Sequence, residues 1–266
     1  MDGQQHPIKG GWKSAIFIIF VEMAERFAYY GIAGNLMMCL NKKMGQSTAN
    51  AAKNVNSWNA VSSLALFIGA FFADSYLGRF KTTLVSSSVF LIGLILLTIS
   101  TTSKIPENVS TPLFFWAIYI TALGEGGHKP CVQTFAADQF DENTLEPRKA
   151  KSSFFNWWFL GISVGATSGV LIVVYVEENV SWTLGFSIAT VAVGLALAVF
   201  VVGSSTYRKE RPVGSPFTSV AQVIVAAIRK RHIIETTTGR GLCYDDHDLG
   251  NGGGSDAHNL PLTHQS

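Results

Sequence analysis

Six long apolar stretches occupy most of the first 203 residues of this chain. An α-helix needs about 20 mostly apolar residues to cross a bilayer, and each stretch has about that length. They lie at about 13–40, 53–73, 82–101, 112–137, 154–176 and 182–203. Only 14% of the 266 residues are charged, against about 25% in soluble domains. Because the stretches are too long and too continuously apolar for barrel strands, they predict an all-α membrane protein with six transmembrane helices.

The distribution of lysine and arginine predicts how this bundle is oriented, because cytoplasmic loops are enriched in both residues. With the N-terminus in the cytoplasm, fourteen of the twenty fall on the cytoplasmic side, four in outer loops and two within spans. We therefore expect a cytoplasmic N-terminus at 1–12, a bundle at 13–203 and a cytoplasmic loop at 204–266. Within that loop, the pattern at about 216–233 predicts an amphipathic helix with a basic end, suited to an anionic membrane surface. The tail after it predicts disorder.

Charged residues inside two of the apolar stretches are the candidate functional residues. Glu22, Glu25 and Arg26 have i, i+3, i+4 spacing and share one helix face. Lys129 lies in the fourth stretch, and helix rise places all these charges roughly 12–18 Å from the cytoplasmic ends. A charge at the centre of a span costs about 2.5–3.5 kcal/mol, so these side chains should face the bundle interior. Counted as two acids and two bases, they predict a neutral, proton-sensitive cluster; the alternative is an ion cluster that only fixes packing.

The segment GEGGHKP at 124–130 surrounds Lys129. Its glycine spacing does not match a phosphate-binding loop, so the glycines predict close helix packing. His128 is either a proton carrier or a packed residue. The three cysteines, Cys39, Cys131 and Cys243, have no metal-binding or redox spacing. We find no nucleophile–base pair in the sequence, and we expect no enzyme activity, metal or nucleic-acid partner.

Four segments together resemble the signatures of the proton-coupled oligopeptide transporters, a family of the major facilitator superfamily whose plant branch is the nitrate/peptide transporter family. The segments are EMAERFAYYG at 22–31, GAFFADSYLGRF at 69–80, GEGGHKPCVQTFAADQFDE at 124–142 and FFNWWFLGISVG at 154–165. The resemblance extends from residue 11 to about 265 and is greatest to plant members. It implies a proton-coupled symporter of nitrate, peptides, hormones or other small solutes, in the plasma or vacuolar membrane. Protons would be the coupling ion, with no other cofactor.

The resemblance also implies residue roles. Glu22, Glu25 and Arg26 match the proton-coupling motif, and Lys129 matches the lysine that pairs with it. Tyr30 matches a tyrosine of the substrate cavity, to which Arg26 and Lys129 would also contribute. This chain has Trp158-Phe159 where peptide-transporting members have Ile-Asn, a departure that weakens the implication of peptide transport.

Three further charged residues, Asp74, Arg79 and Asp138, lie at predicted cytoplasmic helix ends. They are either solvated end charges or an inner gate. Gly161, Gly165 and Gly169 form a stripe that predicts a packing face. Trp157 and Trp158 are interpreted as interface or packing aromatics, with substrate contact as the alternative.

The resemblance covers only one of the two six-helix halves that family members have. It therefore implies an N-terminal half, whose partners would be the bilayer, a small solute, and a C-terminal half or a full-length relative. The alternative is a non-transporting protein that modulates full-length relatives. We expect the 266-residue chain alone not to transport, because alternating access needs two halves around a shared site.

Overall fold

The computed structural model describes residues 10–102, 104–140, 145–209, 222–223 and 225–228, and these contain helices and no strand. The helices are α1 (Trp12–Met38), α2 (Thr48–Phe72), α3 (Arg79–Ser100), α4 (Glu107–Ala137), α5 (Leu145–Gly169), α6 (Tyr175–Asn179) and α7 (Trp182–Val202). Short π-helical segments extend α1 over Cys39–Lys43 and α2 over Ala73–Leu77, and another joins α5 to α6 over Val170–Val174. The result is six helical rods, as the six apolar stretches predict.

Three rods, α2, α4 and α5, begin well before the residue that hydropathy predicts. Helix α2 begins at Thr48 because Ser47 caps it, its Oγ accepting a hydrogen bond from the Asn50 N–H at 3.4 Å. Helix α4 begins at Glu107, directly after Pro106, and contains Pro112. The first turns of both helices are polar, so hydropathy marks the apolar part of each rod and misses its start.

The predicted cytoplasmic loop lies largely outside the described residues. Of the amphipathic helix expected at about 216–233, residues 222–223 and 225–228 are described, and they are helical. The tail predicted to be disordered, which includes Cys243, lies wholly outside. Residues up to Gln222 form one compact unit, and those from Val223 onward belong to a second.

Four segments of the described chain are long and apolar enough to cross a membrane: Thr48–Leu77, Arg79–Ser100, Lys149–Asn179 and Trp182–Ser205. Helices α1 and α4 are long as well, at 27 and 31 residues, but charged residues lower their hydropathy. The two rods that fall short are thus those that contain the predicted proton-coupling charges.

Two hydrophobic clusters build the core, one on each side of these charges. The first includes Leu36, Leu94, Ile118 and Phe186, and the second includes Ile18, Phe135, Trp158 and Phe200. On α1 the charged segment 22–26 lies between Val21 of one cluster and Ala28 of the other. On α4 the segment 125–129 likewise lies between Ala122 and Val132. The charges therefore form a polar layer between two apolar layers.

Small residues bring the charged helices close to their neighbours. A Cβ at Gly126 of α4 would overlap Ala65 of α2. On α5, a Cβ at Gly165 or Gly169 would overlap a backbone carbonyl oxygen of α1, and a Cβ at Gly161 would lie 3.1 Å from Ile19 Cγ2. These contacts confirm that the α4 glycines and the α5 stripe are packing faces.

The beginning and end of the bundle meet at one face. The Gly10 N–H donates to the Thr206 carbonyl at 3.0 Å, and the Gly11 N–H donates to the Gln139 carbonyl at 2.7 Å. The start of α1, the end of α4 and the end of α7 therefore lie together. Residues 10 and 206 therefore lie at the same end of the bundle, as expected for a chain that crosses the bundle an even number of times.

Candidate functional site

A buried ion-pair network joins α1 to α4 through Arg26. The Arg26 Nε lies 2.9 Å from Glu22 Oε1, one helical turn away on the same face. The Arg26 Nη1 donates a hydrogen bond of 2.9 Å to Oε1 of Glu125 on α4. Arg26 is 3% exposed and Glu125 is fully buried. One guanidinium thus holds a carboxylate from each of two helices.

Lys129 extends this network towards the surface. Its Nζ lies 2.9 Å from Glu125 Oε1, and its side chain is 35% exposed. The same ammonium lies 4.4 Å from the centre of the Tyr29 ring, a cation–π contact. The structure therefore places Lys129 against Glu125 rather than directly against Glu22 or Glu25. Its link to α1 runs through Glu125 and Arg26.

His128 connects the two glutamates of α1 to α3. Its Nε2 contacts a carboxylate oxygen of Glu25 and lies 3.3 Å from Glu22 Oε2. Its Nδ1 lies 2.8 Å from the Ser87 hydroxyl, and the ring is fully buried. His128 is thus a buried residue that contacts both glutamates of the predicted proton-coupling motif, so its role as a proton carrier stays a prediction.

The charge count predicted from sequence, two acids and two bases, is wrong. It omitted Glu125, so three carboxylates, Glu22, Glu25 and Glu125, face two cations, Arg26 and Lys129. With a neutral His128 the network has one negative charge in excess. A single proton, on His128 or on a carboxylate, makes this layer neutral.

Sequence reasoning could have found Glu125 and His128 from their positions on α4. Glu125, His128 and Lys129 have the same i, i+3, i+4 spacing as Glu22, Glu25 and Arg26, so each triplet shares one face of its helix. The segment was interpreted from its glycines as a packing segment, and Glu125 was therefore left out of the predicted site.

A cavity of about 410 Å³ lies beside the network. It is lined by Glu22, Arg26, Tyr30, Leu66, Lys129, Pro130, Gln133, Trp158 and Ile162. The residues predicted for substrate binding, Tyr30, Arg26 and Lys129, are therefore brought together at one cavity. Its volume falls within the range of about 300–1,000 Å³ that small-molecule sites occupy. Trp158, predicted as a packing residue, packs against Phe154 and also forms part of the cavity wall.

The α1 glutamates and His128 also form the kind of set that can bind a small cation. One ligand atom from each of Glu22, Glu25 and His128 lies within 4.8 Å of the others. The positive charge of Arg26, 2.9 Å from Glu22, opposes a metal ion at this point. A proton needs no coordination space, so the geometry favours protonation over metal binding.

The three predicted gate residues meet at one end of the bundle. The Arg79 Nη1 donates to both carboxylate oxygens of Asp138 at 2.6 Å, and its Nε lies 3.8 Å from Asp74 Oδ1. These contacts join the end of α2, the start of α3 and the end of α4. The Arg79 side chain is 31% exposed, so the group is accessible to solvent but is not a set of separate end charges.

Fold and site together define a helical membrane protein with a buried layer of charged residues beside a cavity of about 410 Å³. The family profile described as "PTR2: POT family" matches residues 80–248. The chain belongs to the POT family. The match confirms the family expected from the sequence motifs, and with it a multi-pass membrane protein of a transporter family rather than an enzyme family.

Curated relatives agree with this assignment. "Protein NRT1/ PTR FAMILY 5.4" of Arabidopsis thaliana is 51% identical over 240 residues, which cover 90% of this chain and 43% of the relative. "Protein NRT1/ PTR FAMILY 5.10" of the same plant is 49% identical over 233 residues, covering 83% of this chain and 42% of the relative. The chain thus spans less than half the length of these relatives.

A solved structure supports the fold. The crystal structure of the POT family transporter PepTSo superposes with a TM-score of 0.72 at 24% identity, covering 87% of this chain and 44% of that chain. This likeness confirms the predicted all-α membrane fold.

Proposed function

We propose that this chain forms the proton-coupling half of a symporter that moves a small solute together with protons. The observation that supports the proposal is the buried network of Glu22, Glu25, Arg26, Glu125, His128 and Lys129, which needs one proton for neutrality and borders a cavity. An intramembrane charge is expensive unless it has a partner, so such residues commonly have a function.

The proposed coupling works through Arg26. A proton held among Glu22, Glu25 and His128 cancels the excess negative charge. When Glu22 is protonated it attracts Arg26 less, so the guanidinium becomes available to the cavity or to Glu125. Because Glu22 is on α1 and Glu125 is on α4, this exchange alters the contact between the two helices. Proton movement is thereby linked to a change in helix packing.

The cavity favours a solute with an anionic group. Among the residues that line it, the two cations Arg26 and Lys129 outnumber the one carboxylate, Glu22, and Tyr30, 39% exposed, presents an aromatic ring with a hydroxyl. Nitrate, a peptide carboxylate and a carboxylate hormone each fit this chemistry. Trp158 in the wall stands where peptide-transporting members have isoleucine, and Phe159 stands where they have the asparagine that helps to hold peptides. We therefore place peptides after the other two classes.

The Asp74, Arg79 and Asp138 group is proposed to act as an inner latch. It joins three helices at the end of the bundle that holds residues 10 and 206, and the lysine and arginine distribution assigns that end to the cytoplasm. Rocking of the helices would require Arg79 to release Asp138. We place the protein in the plasma or vacuolar membrane with both termini cytoplasmic.

Uptake by a chimera tests this function. The chimera joins this chain to the remainder of the 51% identical Arabidopsis relative and is reconstituted in liposomes with an inward proton gradient. Offered nitrate, a dipeptide and a carboxylate hormone, it should accumulate at least one of them. The 266-residue chain alone should accumulate none.

A lysine variant of the chimera makes the test specific. Lys129→Ala should lose most of the uptake, because it removes a cavity cation and leaves Glu125 with Arg26 alone. Lys104→Ala, at an exposed position, is the matched control and should transport like the unmodified chimera. Uptake independent of the gradient, or equal loss in both variants, would contradict the proposal.

A further inference from the structure

A second buried carboxyl group lies away from the charged network. Glu177 of α6 is 2% exposed, and neither of its carboxyl oxygens has a hydrogen-bond partner among the described residues. The side chain of Asn35 on α1 interacts with this carboxyl group, although its buried Nδ2 does not complete a hydrogen bond among the described residues. Asn35 is nine residues beyond Arg26, or about 14 Å along the helix. This pair is therefore separate from the network.

The groups around Glu177 provide no compensating positive charge. Asn35 of α1 and Cys39 of its π-helical extension face Glu177, and Lys43 at the end of that extension is exposed. On α6 itself, Glu178 adds a second negative charge. Helix α7 has no charged residue; it contributes Gly185, where a Cβ would overlap Glu177 Cγ. An ionised carboxylate in such a place would be both desolvated and unpaired.

We propose that Glu177 is a second proton-binding site, buried as a neutral carboxylic acid. The carboxylate accepts this proton from a hydronium ion of the solvent at its own end of the bundle, which leaves a water molecule and the neutral acid. Its carbonyl oxygen then accepts from Asn35 Nδ2, which satisfies the unpaired donor of α1. In this neutral form the side chain packs α6 against α1 and against Gly185 of α7. Loss of this proton places a charge at the meeting point of three helices and loosens them.

Thermal unfolding of the purified 266-residue chain tests the site without measuring transport. The melting temperature is measured between about pH 5 and pH 9 for the wild type, Glu177→Gln and Glu178→Gln. Glutamine has the shape of the neutral acid but cannot ionise. Glu177→Gln should match the wild type at acid pH and exceed it by a few degrees at alkaline pH. Glu178→Gln, at the exposed neighbouring position, should follow the wild type throughout.

Infrared spectroscopy gives a second measurement on the same proteins at neutral pH. The carbonyl stretch of a protonated carboxylic acid should lose intensity in Glu177→Gln and keep it in Glu178→Gln. A difference in melting temperature that is constant with pH, an unchanged infrared band, or a Glu177→Gln protein that does not fold would each overturn the proposal. These outcomes leave the transport proposal untouched, because neither measurement involves a solute or the Arg26 network.

Discussion

Replacing Arg26 with methionine should lower the stability of the bundle more than replacing any other single charged residue described above. Methionine keeps an unbranched side chain like the methylene stem of arginine, but it lacks the charge that holds Glu22 and Glu125. The side chains of Arg26, Glu22 and Glu125 are 4%, 6% and 0% exposed. Removing one partner of a buried pair costs about 3–5 kcal/mol, because the other charge is left buried. At about 2–4 °C per kcal/mol for a chain of this size, the melting temperature should fall by about 6–20 °C.

The pH dependence and a matched variant make this prediction specific. The loss should be greater at alkaline than at acid pH, because protons neutralise the stranded carboxylates. Arg26→Met combined with Glu125→Gln should recover part of the loss, since one stranded carboxylate is then absent. Arg79→Met is the comparison: the side chains of Arg79 and Asp138 are 31% and 15% exposed, so solvent screens their charges more than those of the Arg26 network and the loss should be smaller. A loss no larger than that of Arg79→Met, or strict additivity in the double variant, would refute the reasoning.

Two further predictions concern packing and orientation. Gly165→Ala should lower the free energy of unfolding by about 1–3 kcal/mol, because the added Cβ would overlap the Met23 carbonyl oxygen of α1. Gly194→Ala is the control and should be tolerated, because its Cβ would lie 3.8 Å from Leu91 Cδ1. Equal melting temperatures of the two variants would show that close approach of α5 to α1 is not required. Tags at Met1 and Ser266 should be hidden from membrane-impermeant reagents on intact cells, whereas a tag at Asn108 is labelled; labelling of either terminus from outside would reverse the proposed orientation.

The helices and the main charged residues could be predicted from sequence because each depends on local information. Hydropathy over about 20 residues is enough to place a span, and Glu22, Glu25 and Arg26 fall within one turn of helix. The start of α2 could not be placed this way, because it depends on a capping serine in a polar segment.

The remaining site residues depend on which helices are neighbours, which hydropathy does not contain. Arg79 and Asp138 are 59 residues apart, and Arg26 and Glu125 are 99 apart. The role of Glu125 becomes visible only when α1 and α4 are placed together. Glu177 was not identified from sequence. It directly follows the apolar stretch that predicts its span, and the polar residues after that stretch are typical of an outer loop. Its side chain packs against Gly185 of α7, where a Cβ would overlap Glu177 Cγ.

The most direct test of the central claim separates proton-driven uptake from solute exchange in the same liposomes. In the chimera, Glu25→Gln removes a carboxylate that contacts His128 but does not line the cavity. It should abolish accumulation driven by the proton gradient and preserve exchange of labelled for unlabelled solute without a gradient. Glu107→Gln, at an exposed position at the start of α4, should keep both activities. If Glu25→Gln accumulates solute like the unmodified chimera across the pH range, the network only fixes packing and the proposed coupling is wrong.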